Sequence, residues 1–188
     1  VYEDVVFQCH NELVTAINGS GYGAAFIMPN HKVDFSNGEA VIQFDASTLR
    51  DSTYDFFDIW ITPFDKQLQT PAISWMPDLV GTPKDAVHVH LNIGSPNSFK
   101  ARVVRDFQVT QLAGTGQSWQ GYESVITPSD SQLETFELRI SDTHVKFGMP
   151  DHDFWWVDTS IAALGWTEGV VQFGHQSNNP TSPCGNDG

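Results

Sequence analysis

The most suggestive chemistry in this chain is a pair of histidines one residue apart, His88-Val89-His90. In an extended segment, positions i and i+2 share a face with Cβ atoms roughly 7 Å apart, close enough to hold one transition-metal ion. Such a site needs a third ligand, and His144, His175 or a carboxylate is available. The same spacing suits two imidazoles that hydrogen-bond a ligand on a polar groove, and equally a plain solvated strand face. Glycoside hydrolysis needs two carboxylates, about 5–5.5 Å apart for retention or 6.5–9.5 Å for inversion. Asp45, Asp58 and Glu123 lie in strand-like runs among aromatics and are the carboxylates to inspect, although 23 acidic residues also allow a chance pair. Lyase chemistry would draw a base and a neutralising cation from His88, Tyr122 and Arg102. If the chain is an enzyme, Asp58, His88, His90 and Glu123 are its candidate catalytic residues.

Six tryptophans, Trp60, Trp75, Trp119, Trp155, Trp156 and Trp166, exceed what a core of this size requires. Indole faces stack on the apolar faces of sugar rings while amides and carboxylates take the hydroxyls. Trp75 and Trp119 lie beside Pro-, Gly- and Ser-rich loops, and Trp155-Trp156 must split across two faces if extended. Core packing is the competing explanation for each ring. The candidate ligand set is therefore Trp60, Trp75, His88, His90, Asn92, Trp119 and Tyr122. No Gly-x-Ser-x-Gly, P-loop, dinucleotide fingerprint or Cys-x-x-Cys occurs.

The elements that must position these groups are strands. Tyr54 to Phe64 is the longest aromatic and β-branched run, of a kind that suits a pleated surface. With period 2, Phe57, Ile59 and Ile61 share one face, and Phe56, Asp58, Trp60 and Thr62 share the other. Pro63 has no N–H for a ladder and ends the pairing. Ala86 to Asn92 alternates cleanly, with Val87, Val89 and Leu91 opposite His88, His90 and Asn92. The expectation is an oily interior on one side and a wet, ring-bearing trough on the other. Glu39–Ala46, Thr135–Ile140, Thr143–Gly148 and Gly169–His175 read as further strands, the middle two as a hairpin around Ser141-Asp142. Phe99–Val109 reads as one strand with a bulge or bend near Val103-Val104, Trp119–Thr127 as another strand, and Ser160–Leu164 as one helical turn. Asp65–Lys84 is a long irregular stretch of a kind that is often functional. Strands at about ten-residue spacing, with turn residues between them, predict an all-β sandwich or barrel.

With 188 residues the chain fits a single domain, residues 1–188. Its 15 Gly, 10 Pro and 13 Phe favour short strands over helices. A net charge of −14 opposes phosphate backbones and anionic lipid, so nucleic acid is not an expected partner. No apolar run reaches the ~18 residues of a membrane span, and no membrane insertion is expected. Val1 carries no basic-then-apolar leader, so the expectation is that a secretory signal has been removed. Cys9 and Cys184 lie near opposite ends, and domain termini often lie close together. A bridge between them, worth up to ~5 kcal/mol in the entropic model, would imply an oxidising, extracytoplasmic setting. Two free thiols are the alternative.

Thr135–Gly148 and Trp166–His175 resemble concanavalin A-like lectin/glucanase sandwiches, the first their sheet-crossing hairpin and the second a late "G-V-V-Q-F" strand. Glu39–Phe64 is similar to their early strand pair. The resemblance covers about half the chain and implies a two-sheet antiparallel jelly roll, extracellular placement and carbohydrate as ligand. Family 16 glycoside hydrolases carry Glu-x-Asp-x-x-Glu, or a form one residue shorter, on one strand. Asp55-Phe56-Phe57-Asp58 has no such glutamates, which argues against carrying over that mechanism. Family members also end on a closing strand that is missing before Gly188, as in a processed or incomplete chain. The resemblance further implies a structural calcium near the chain ends. The oxygen-rich tail Asn178-Asn179…Asn186-Asp187, with Asp187 as a ligand, is the first candidate. The loop Pro150-Asp151-His152-Asp153 is the second, and no organic cofactor is implied.

The expectation from sequence is a secreted carbohydrate-binding sandwich that recognises a poly- or oligosaccharide on an open sheet face. A glycan-cleaving hydrolase or lyase using that face is the first alternative. The second is an extracellular structural protein that self-associates through an unpaired edge.

Overall fold

A computed structural model describes residues 3–9, 12–18, 23–27, 32–46, 55–64, 83–92, 98–113 and 134–177. Thirteen strands occupy nearly all of them: β1 (Glu3–Cys9), β2 (Glu12–Asn18), β3 (Gly23–Ile27), β4 (Lys32–Asp34), β5 (Ala40–Ala46), β6 (Asp55–Pro63), β7 (Ala86–Asn92), β8 (Ser98–Arg105), β9 (Gln108–Ala113), β10 (Glu134–Ser141), β11 (His144–Met149), β12 (Phe154–Ser160) and β13 (Glu168–Ser177). The larger sheet runs β3-β13-β6-β7-β8-β9, with β4 also paired to β13. The smaller runs β12-β11-β10-β5, and β1 with β2 forms a separate hairpin. Every pairing is antiparallel. The chain changes sheets between β4 and β5, β5 and β6, β9 and β10, and β12 and β13. This is the two-sheet antiparallel jelly roll expected from sequence.

The core fills the space between the sheets. Ile59, Ile61, Val87, Val89, Val103 and Val171 from the larger sheet meet Phe136, Leu138, Ile140, Val145, Phe147 and Val157 from the smaller. Full burial of such a side chain stabilises by about 1.5–3 kcal/mol, so the inward register of β6 and β7 is strongly fixed. A one-residue slip would turn both sets outward. The hairpin around Ser141-Asp142 forms as expected, with Ser141 opposite His144. Trp155 and Trp156 do divide between the two faces. Trp156 packs on Phe136 and Phe147 in the core, while Trp155 lies under the Lys146 ammonium, 4.0 Å from the ring centre.

Two local expectations are corrected. The Phe99–Val109 run is not one bent strand. It is β8 and β9 joined at Asp106-Phe107, where both residues take left-handed φ of 47° and 66°. That twist suits a two-residue hairpin, but Phe is an unusual choice there, so the turn gave no sequence signal. A ladder irregularity does occur in β8, between Ala101 and Arg102. Ser160–Leu164 does not make a helical turn either. Arg105 and Asp142 tie that segment to the sandwich through its backbone groups, which holds it open. A 3-10 turn spans Pro150–His152.

Candidate functional site

Antiparallel register assembles the site. Asp58 on β6 lies opposite His90 on β7, and Trp60 lies opposite His88. His88 in turn faces Arg102 on β8, and Trp60 faces Gln172 on β13. Because Ile59, Ile61, Val87 and Val89 point into the core, alternation puts this polar row on the other side of the same sheet.

The expectation of a wet trough is corrected here. Asp58 and His88 are 0 % exposed, His90 2 % and Trp60 1 %. The Trp60 and His88 rings stack with centroids 3.7 Å apart, and Trp60, Ala86 and Val104 form a second apolar cluster on this side. A sheet with apolar groups on both faces is covered on both faces, and that pattern was legible at Trp60 but outweighed by the histidines beside it.

Burial makes the hydrogen bonding decisive, because an unpaired polar group here is expensive. Arg102 Nε donates to His88 Nδ1 at 2.7 Å. That nitrogen must therefore be the acceptor, which puts the ring proton on Nε2. From Nε2 it is donated to Asp58 Oδ1 at 2.6 Å. His90 Nδ1 donates to the same oxygen at 3.0 Å. Burial pushes the proton affinity of His88 down to about 3, assisted by the Arg102 charge and opposed by Asp58. For Asp58 burial acts upward, but the two imidazoles outweigh it and hold the carboxylate ionised, well below its ordinary range. The result is a relay, Arg102–His88–Asp58–His90, in which His88 lies between the positive Arg102 and the negative Asp58.

The ligand atoms of Asp58, His88 and His90 lie within 4.8 Å of one another, and among the described residues they form the one such convergent group. Distance alone would admit a divalent cation. The donor pattern opposes it. A metal on His88 Nε2 would displace the Nε2 proton while Nδ1 still accepts from Arg102, leaving an imidazolate beside a guanidinium that repels the metal. The residues fit a hydrogen-bonding centre better than a metal centre.

Two buried polar atoms on the same side of β6, Trp60 Nε1 and Thr62 Oγ1, have no hydrogen-bond partner among the described residues. Such a group costs about 1–3 kcal/mol when left unmade. A water or ligand oxygen is the usual explanation.

Of the other candidates, Asp45 is not brought to Asp58. It lies on the smaller sheet, exposed, and accepts from Thr135 Oγ1 at 2.9 Å. His144 pairs with Asp158 at 3.0 Å on the same sheet. Register places His175 opposite Phe57, outside the Asp58 row. In the Pro150–Asp153 loop, His152 pairs with Glu134 at 2.8 Å. Asn92 and Cys9 have their backbones in β7 and β1, with side chains outside the described residues. Trp75, Trp119, Tyr122, Glu123, Cys184 and Asp187 also lie outside them, as does the Trp119–Thr127 segment. Sequence reasoning named Arg102 only as a lyase cation and did not single out Gln172. Neither role could be found without the β7–β8 and β13–β6 registers.

Neither a protein-family model nor a curated protein matches the sequence. Solved structures do. A Bacillus subtilis protein of unknown function with a galectin-like fold superposes with a TM-score of 0.65 at 11% identity, covering 96% of this chain and 84% of that one. The carbohydrate recognition domain of Emp46p, in a potassium-bound form, gives 0.61 at 11% identity over 95% and 82%. The carbohydrate-binding module CBM66 of Bacillus subtilis gives 0.51 at 9% identity over 94% and 88%. At such identities the likeness is one of fold, and that fold is the concanavalin A-like jelly roll.

Proposed function

We propose, for a chain with the concanavalin A-like fold, that this is a secreted carbohydrate-binding protein that recognises a poly- or oligosaccharide on its larger sheet, with the buried Trp60–His88–Arg102 row supporting that face from beneath. The observation that carries the reading is the fixed polar relay on the side of the sheet that the core does not use, where Trp60 Nε1 has no partner among the described residues. A rigid hydrogen-bonded row behind a sheet face holds that face in one shape, and such pre-organisation lowers the cost of binding. Carbohydrate is also the ligand named for two of the similar structures, the Emp46p domain and CBM66. The surplus of acidic side chains, −14 overall, favours a neutral glycan over a polyanion.

Trp60→Phe tests this directly. It keeps an aromatic ring beside His88 and removes the indole N–H together with part of the bicyclic volume. A disturbance of the row worth about 0.5–1.5 kcal/mol weakens binding roughly two- to twelvefold, measured by titration calorimetry against a broad polysaccharide panel. Protein stability should fall, since the cavity left at a fully buried, stacked side chain outweighs the removal of one unpaired donor. Unchanged affinity for a glycan that the native protein binds would move the site off this face. Release of reducing ends or unsaturated products from the panel would replace binding with cleavage.

A further inference from the structure

At one end of the sandwich, a cleft of about 490 Å³ opens between two loops, within the roughly 300–1,000 Å³ of small-ligand sites. Pro63 at the end of β6, Lys84 and Asp85 before β7, Asp106 of the β8–β9 turn, and Gly165 with Trp166 line it. None of these belongs to the buried relay.

Both walls are fixed. On one side, Phe107 N–H donates to Lys84 O at 2.9 Å, and Asp106 N–H donates to Asp85 Oδ1 at 3.1 Å. The Lys84 ammonium sits 3.5 Å from the Asp106 carboxylate. On the other side, Asp142 takes Leu164 N–H on its carbonyl at 2.9 Å and Gly165 N–H on its carboxylate at 3.2 Å. Arg105 donates to the carbonyls of Ala162 and Ala163. Trp166 is wedged edge-on against Phe35, with centroids 5.4 Å apart. A Cβ at Gly169 would come within 3.0 Å of the Trp166 ring, so glycine there makes room for the indole.

The rim is unusual in a way that stability does not favour. Two consecutive non-glycine residues hold left-handed φ at Asp106 and Phe107, where each non-glycine costs about 1–2 kcal/mol. Phe107 leaves 59% of its surface in water. Backbone outliers of this kind gather at functional sites. Here they set the Asp106 carboxylate on the cleft wall.

We propose that this cleft binds one uncharged sugar unit, which deepens the glycan-binding reading and rests on it. The walls carry one ammonium and two carboxylates at close quarters, which can donate to and accept from hydroxyl groups. Lys84 balances Asp106, and the remaining Asp85 carboxylate gives the walls a net negative charge that disfavours an anionic ligand. Trp166 supplies an apolar face for a pyranose ring, and the charged rim disfavours a lipid chain.

The test uses the protein as described and neutral oligosaccharides of glucose, galactose, mannose and xylose, two to four units long. Asp106→Asn removes one charge while keeping a residue that tolerates left-handed φ, and Asp85→Asn removes the other while keeping an oxygen for the Asp106 N–H. The native protein should bind at least one probe, with a chemical-shift change at the Gly165 amide. Each variant should weaken that binding about tenfold with its circular dichroism unchanged. If both variants bind as tightly as the native protein while Trp60→Phe weakens binding, the sheet-face reading stands and the cleft proposal falls. If no saccharide binds the native protein, both fall.

Discussion

Arg102 decides the chemistry of the buried row, because its donation to His88 Nδ1 fixes where every other proton sits. The relay makes the fold acid-sensitive with a definite sign. The proton affinity of His88 is lowered from 6.5 to about 3. Between those values the unfolded chain takes up a proton that the folded protein refuses, so stability falls as pH drops below about 6.5. Asp58 adds a loss in the same direction once pH falls below its ordinary 3.8. Thermal melts from pH 8 to 4 should show that decline, and His88→Gln, which can still accept from Arg102 and donate to Asp58, should flatten it. A parallel decline in the variant would mean that other groups set the pH dependence. Asp58→Asn should lower the unfolding free energy by roughly 3–5 kcal/mol, as expected for removing one partner of a buried ion-paired network. Urea denaturation measures it, and a change under about 1 kcal/mol would show that the carboxylate is dispensable. The histidine pair, its shared face and the neighbouring Asp58 and Trp60 were legible in the alternation of two short segments. Their burial was not, because alternation says which side a residue takes and nothing about what lies over that side.

At the scale of elements, period-2 patterning located β5, β6, β7, β10, β11 and β13 because one face of each is apolar over consecutive turns of the pleat. It failed at Asp106-Phe107, where the turn is made by residues that do not advertise positive φ. Phe107→Gly should therefore stabilise. Relief of about 1–2 kcal/mol of left-handed strain exceeds the roughly 0.5–1 kcal/mol entropy cost of glycine, so a small rise in melting temperature is expected. Gly148 behaves in the opposite way. A Cβ there would run into the Phe154 carbonyl and stand 2.7 Å from Trp155 Cα, where the β11–β12 ladder shifts register. Gly148→Ala should cost at least about 1–3 kcal/mol, as overpacking does, and should speed amide exchange along β12. Unchanged exchange would show that the bulge can absorb the methyl group.

For the whole molecule, the two-sheet architecture followed from strand spacing and turn chemistry, whereas the order of strands within each sheet did not. Neighbours such as β6 with β13 are more than a hundred residues apart, and pairing at that separation depends on the complete core. Charge is a global property and acts globally. With 23 acidic and 9 basic side chains, self-repulsion opposes compaction. Raising ionic strength from about 0.01 to 0.15 M shortens the screening length from roughly 30 to 8 Å, so the melting temperature should climb across that range. A flat response would mean that the acidic groups are already locally compensated.

The pinned loops on either side of the end cleft carry a kinetic corollary. Backbone bonds from Asp142, Lys84 and the Arg105 guanidinium hold the two loops before any guest arrives. Their ordering entropy is spent during folding and not during encounter. In rapid mixing, occupancy should then grow as a single exponential whose rate rises linearly with saccharide concentration. A plateau at high concentration would instead expose a slow opening step.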